Sequence, residues 1–108
     1  MNNDILKISL LIDFYGKLLT QKQQIYLNDY YFKNFSLSEI AKTYCISKNA
    51  IYDAIKKSII ELENYDNKLK LIDGFNNRIK IYKKINLDKK IMEELLSTEV
   101  IKYAKKIK

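Results

Sequence analysis

The sequence predicts an all-α protein, and three observations carry that reading. Apolar residues recur at steps of three and four along nearly all of the 108 residues. There are 2 glycines and no proline, too few for tight-turned β folds or glycine-rich phosphate loops. Thr20 with Gln23 and Ser36 with Glu39 give the Ser/Thr-to-Glu/Gln pairing that starts helices.

The elements follow in order. Ile8, Leu11, Ile12, Tyr15, Leu18 and Leu19 share one face, and Ile5, Leu10 and Phe14 widen it, so the first helix packs on more than one neighbour. Gly16 is expected inside that helix at a cost near ~1 kcal/mol. Thr20 with Gln23 forms a capping box for a second helix carrying Ile25, Leu27, Tyr30 and Tyr31 and ending near Lys33–Asn34. Ser36 with Glu39 opens a short third helix, from Leu37 to about Thr43, and Ser47 caps the next. From Lys48 the apolar seam Ile51, Ile55, Ser58, Leu62, Tyr65, Leu69, Ile72 alternates steps of four and three. One long helix to Lys84, roughly 55 Å at the standard rise, is expected, bent or frayed at Gly74. Its seam is either the floor on which the terminal helices fold back or, through Leu62, Tyr65, Leu69 and Ile72, a surface for a second copy of the chain. Asp88 caps a last helix reaching the Ser97–Thr98 region, and Val100, Tyr103 and Ile107 form a final turn or two.

Composition removes whole classes of function. With no histidine and one cysteine, a disulfide framework, a zinc finger, a Ser-His-Asp triad and His-based proton transfer are excluded. Cys45 therefore reads as a small buried turn residue rather than an activated thiol. Glu61, Glu63 and Asp66, neighboured by Lys57 and Lys68, read as a solvated helix face, not a metal site. No apolar run is long enough for a membrane span and no signal peptide is evident, so a cytoplasmic, non-enzymatic protein without cofactor or small-molecule substrate is expected.

The segment from Ser36 to Ile55 fits a helix-turn-helix. Ala41 is small where the second helix crosses, and Ile40, Ile46, Ile51 and Ile55 are expected to fill the wedge between the helices. Ser47 caps the second helix, which then presents Lys48, Asn49, Tyr52, Lys56 and Lys57. Such a face can enter a major groove, with Asn49 on an adenine edge and the lysines on phosphates. Asp53 on the same face repels phosphate. The other tyrosines fall mainly on or beside apolar faces, which points to core packing; Tyr52 is the exception.

Leu19-Thr20 through Ile55 resembles region 4 of bacterial sigma factors. More fully, the chain resembles the YlxM-like family of small helix-turn-helix proteins. Leu19-Thr20…Gln23, Tyr30-Tyr31, Ser36 to Ala41, Ser47 to Asp53 and Leu62…Tyr65-Asp66…Lys68-Leu69 carry the likeness, which weakens after Arg78. The resemblance implies an all-helical bacterial protein associated with the signal recognition particle pathway, and not an enzyme. Three positions depart from the pattern. Cys45 stands where Gly or Asn usually takes a left-handed backbone, so either the turn changes shape or Cys45 is strained. Lys48 stands where Arg is usual, and Ala54 replaces a polar side chain.

The net charge is +7, with every basic residue but Arg78 a lysine. An A- and T-rich coding sequence gives the same usage, so the position of the charge matters more than its total. Residues 1–47 carry +1, residues 48–69 are neutral, and residues 70–108 carry +6. The expected organisation is a helix-turn-helix domain over 1–69 and a basic helical arm over 70–108 packed on the same core. In the arm, Arg78, Lys80, Lys83, Lys84, Lys89 and Lys90 are candidate phosphate contacts. The leading expectation is an accessory factor of the particle, binding its RNA or its GTPase. A dimeric DNA-binding regulator and a helical protein–protein adaptor are the alternatives.

Overall fold

The computed structural model describes residues 4–85 and 88–99; the expected final turn with Val100, Tyr103 and Ile107 lies outside them. Six α-helices follow one another: α1 Ile5–Tyr15, α2 Gln21–Tyr31, α3 Leu37–Tyr44, α4 Lys48–Leu69, α5 Leu71–Lys84 and α6 Lys89–Ser97. Among the described residues there is no strand.

Helix starts follow the side chains read from the sequence. Thr20 and Gln23, and Ser36 and Glu39, each exchange both bonds of a capping box. The Ser36 bonds hold the Glu39 carboxyl below its ordinary pKa. Ser47 accepts from the Ala50 amide at 3.0 Å, and Asp88 from Ile91 at 2.8 Å. In each case a helix N-terminal amide with no intrahelical acceptor is satisfied.

Helix ends differ more from expectation. α1 stops at Tyr15, and Gly16 opens a 3-10 turn, Gly16–Leu18, that brings Leu19 into the core. α2 stops at Tyr31 because the chain turns through Asn34 at φ 57°. The single long helix expected from Lys48 to Lys84 is two helices. The break falls at Lys70 in the left-handed region, φ 55° and ψ 31°, while α5 runs through Gly74 unbroken.

A tertiary contact makes that break possible. The Tyr15 hydroxyl donates to the Asp66 carboxylate at 2.7 Å and accepts from the Leu71 amide at 3.1 Å. The same Asp66 oxygen accepts from the Ile72 amide at 3.4 Å. Lys70 gives α5 no side-chain cap, so Tyr15 and Asp66 supply the missing acceptors from outside the helix. With the chain redirected there, Phe75 packs beside Leu10 and Leu96 instead of continuing the line of α4.

The main core lies between α1, α2, α3 and the first two-thirds of α4. Ile8, Leu11, Tyr15, Leu27, Ile40, Ile51, Ile55 and Leu62 are all essentially inaccessible. Each such side chain contributes roughly 1.5–3 kcal/mol of burial. The smaller cluster of Leu10, Phe75 and Leu96 joins α5 and α6 to α1, with the Phe14 and Phe75 rings edge to face at 5.9 Å. Phe14 and Ile72 touch both clusters.

At the turn between α3 and α4, Cys45 takes the left-handed conformation, φ 59° and ψ 41°. The Cys45 and Ile46 amides both donate to the Ala41 carbonyl, which closes the end of α3 as a glycine would. Of the two possibilities open in the sequence, strain at Cys45 is the one realised. The thiol is exposed, not buried, because this backbone directs Cβ away from the core. Ile46, expected in the wedge between the helices, is 39 % exposed and lies outside the core.

Two outcomes follow from these backbone features. Cys45→Gly removes the left-handed penalty and no buried contact, so it raises unfolding free energy by about 0.5–1 kcal/mol, read as a higher urea midpoint at unchanged slope. Burial, then the bond to Asp66, pushes the Tyr15 hydroxyl up to about 12 from an ordinary 10.0. The folded state therefore favours neutral Tyr15. Its contribution is complete below pH 10 and is lost as pH rises through 10 towards 12. Tyr15→Phe should cost about 1–3 kcal/mol near neutral pH, and that gap should narrow when urea unfolding is repeated at about pH 11.

Candidate nucleic-acid interface

α3 and α4 form the helix-turn-helix, and its tip is open. Every residue from Lys42 to Ala50 is exposed. Ile51 and Ile55 are fully buried against the core and fix the rotation of α4. That rotation leaves Ser47, Lys48, Asn49, Lys56 and Lys57 in solvent, with Tyr52 half-buried at the edge of the face. Asn49, Asp53, Lys56 and Ile60 form the outward stripe at steps of four, three and four. The stripe thus carries one amide, one carboxylate, one ammonium and an isoleucine that is 49 % exposed. Ile60 escaped the sequence reading because it lies beside Ile59, which is buried, and an apolar pair looks like core whichever member faces inward.

Behind the tip, Tyr44 donates to the buried carboxylate of Asp29 at 2.7 Å and meets the Tyr26 ring edge to face at 5.3 Å. The bond to Asp29 raises the Tyr44 pKa. Lys33 lies 3.5 Å from the same carboxylate. The end of α3 is therefore pinned to α2 by a polar contact that sequence spacing does not announce.

Three of the four acids of α4 have structural partners. Glu63 pairs with Lys7 at 3.7 Å, Glu61 accepts from Gln23 at 3.3 Å, and Asp66 holds Tyr15. Among the described residues no group of three or more Cys, Asp or Glu is placed to hold a metal ion. No described helix is long and apolar enough to cross a membrane.

The candidate phosphate contacts divide into two kinds. Lys80, Lys83 and Lys84 on α5, and Lys89 and Lys90 in the first turn of α6, are exposed. Among the described residues none of the five makes an ion pair. Arg78 is different. Its Nε and Nη2 donate to the two Glu99 oxygens at 2.6 and 2.8 Å, a side-on pair that ties α5 to the end of α6. Glu99 raises the Arg78 pKa, and one side of the guanidinium fork is already engaged.

The seam residues are placed mostly inward. Leu62 is fully buried, Tyr65 stacks on Tyr15 at 6.2 Å, and Ile72 packs on both clusters. Only Leu69 of the four is open, at 54 % exposure. Leu62, Tyr65 and Ile72 thus pack within the chain, while Leu69 faces solvent.

Comparison with known proteins agrees with this architecture. Residues 2–103 match a family model described as "Putative helix-turn-helix protein, YlxM / p13 like". A UPF0122 protein of Malacoplasma penetrans is 57 % identical over 97 residues, covering 90 % of each chain. One from Oceanobacillus iheyensis is 40 % identical over 92 residues, covering 82 % of this chain and 88 % of the relative. YlxM of Bacillus subtilis is 43 % identical over 79 residues, covering 73 % of this chain and 72 % of its own. With an exposed helix-turn-helix tip on an all-helical body, and relatives that align along most of its length, the chain belongs to the UPF0122 family of YlxM/p13-like helix-turn-helix proteins.

Proposed function

We propose that this protein is a non-enzymatic accessory factor of the signal recognition particle pathway that binds RNA through its basic arm. The pathway rests on the resemblance described above. The RNA rests on one observation: α5 and α6 present Lys80, Lys83, Lys84, Lys89 and Lys90 exposed and without ion pairs among the described residues, whereas the outward stripe of α4 carries Asp53 beside a single lysine. Lys80, Lys83, Lys84, Lys89 and Lys90 supply phosphate contacts, and the helix-turn-helix supplies a second, weaker surface through Lys48, Lys56 and Lys57. Arg78 orders the arm through Glu99 and contributes less to binding.

One observation favours a second reading, a DNA-binding regulator. Asn49 is exposed near the start of α4, where an amide can reach the N6 and N7 edge of an adenine. Salt titration of binding to structured RNA and to duplex DNA separates the two. If RNA is held by the arm, replacing the five lysines by Gln flattens the slope of log affinity against log salt by about 0.7–0.9 for each phosphate no longer neutralised. Arg78→Gln changes that slope less than Lys83→Gln does. An unchanged slope after the fivefold replacement defeats the RNA reading. A sequence-selective duplex affinity lost on Asn49→Ala establishes the DNA reading instead. Salt-independent capture of the particle's GTPase, with no nucleic acid bound, would leave a protein adaptor.

A further inference from the structure

We propose that Tyr15 and Asp66 are positioning residues for nucleic-acid binding: they lock the basic arm at the angle to the helix-turn-helix at which both surfaces engage one RNA. The inference rests on the functional reading above and gives it a geometry. Two basic surfaces lie on either side of the Lys70 break, Lys48, Lys56 and Lys57 before it and Lys80, Lys83 and Lys84 after it. Nothing within α4 or α5 alone fixes their relation. Lys70 is a non-glycine residue in the left-handed region and provides no side-chain cap. The angle is set where three helices meet. The hydroxyl of Tyr15 from α1 bridges the carboxylate of Asp66 near the end of α4 and the amide of Leu71 at the start of α5.

The surroundings make this a rigid point. Tyr15 is 1 % exposed, its ring stacks on Tyr65 and tilts against Phe14, and Phe14 in turn meets Phe75 of α5. The ring is thus fixed by packing, and the hydroxyl alone makes the link to the break. Below the latch the arm is lightly held. Its described apolar attachments are Ile72, which packs on both clusters, and the small cluster of Leu10, Phe75 and Leu96 with Ile79 and Met92 beside it, while the Arg78–Glu99 pair joins α5 and the end of α6 within the arm. Two weak binding surfaces on one rigid body add much more affinity than two on a loose hinge, because the second engages at a high effective concentration.

The test uses the full chain and two fluorescent RNA hairpins, with duplex stems of about 24 and about 6 base pairs, the shorter chosen to offer phosphates to one surface at a time. Tyr15→Phe keeps the ring and deletes the link. It should weaken binding of the long duplex about tenfold and of the short one less than twofold. Asp66→Ala should behave like Tyr15→Phe. Asp66→Asn retains an acceptor for the hydroxyl and the Ile72 amide and should restore binding to within about threefold of the original. Amide hydrogen exchange checks that each variant is folded: protection should fall at Leu71 and Ile72 and persist at Ile51 to Ile59. Equal losses on both duplexes, or an unchanged affinity for the long one despite faster exchange at Leu71, overturn the latch while leaving RNA binding intact. An unmodified chain that binds neither duplex overturns the functional reading, and the latch role with it.

Discussion

Where Tyr15 meets Asp66, the chain resolves a problem of unpaired amides. A helix that stops at Leu69 and restarts at Leu71 leaves N–H groups at the new start without intrahelical acceptors. In this protein one phenolic oxygen and one carboxylate oxygen provide them. The consequence spreads outward. Because the chain can turn at Lys70, Phe75 reaches Leu10, α6 can lie against the same end of α1, and Arg78 comes within reach of Glu99. The basic residues of α5 are thereby tied to the helical body and do not project along the axis of α4.

The helix-turn-helix rests on different forces. Its two capping residues, Ser36 and Ser47, fix where α3 and α4 begin, and buried Ile40, Ile51 and Ile55 fix how they are rotated. Cys45 bears a left-handed strain between them that the core packing on either side holds in place. The polar link from Tyr44 to Asp29 fastens the end of α3 to α2, so the exposed tip stands on a support of three helices. A surface meant to recognise a partner benefits from such rigidity, since little ordering is left to be done on binding.

Acidic and basic side chains serve different ends in this chain. The α4 acids Glu63, Glu61 and Asp66 are occupied by Lys7, Gln23 and Tyr15, contacts that serve the fold. The lysines of α5 and α6 have no such partners among the described residues and remain available to a polyanion. Arg78 differs from those lysines in being paired within the chain. It looks like a member of the basic cluster by sequence, yet its fork is matched to a carboxylate twenty-one residues away.

Local chemistry was legible in the sequence. The helix starts at Thr20, Ser36, Ser47 and Asp88, each depending on a side chain within three residues, stand where the spacing places them. So do the buried positions Ile40, Ile51, Ile55 and Leu62, because helical periodicity decides which residues share a face. The candidate face of α4 followed from the same arithmetic, apart from Ile60 and Tyr52, whose exposure depends on what lies opposite. Tertiary structure alone decided the break at Lys70, the outward turn of Cys45 and Ile46, the pairing of Arg78 with Glu99 and the inward placement of the seam. The physical reason is common to them. Each is settled by a group distant in sequence or by the direction a backbone takes out of a turn, and periodicity, which registers only neighbours on one helix, is silent about both.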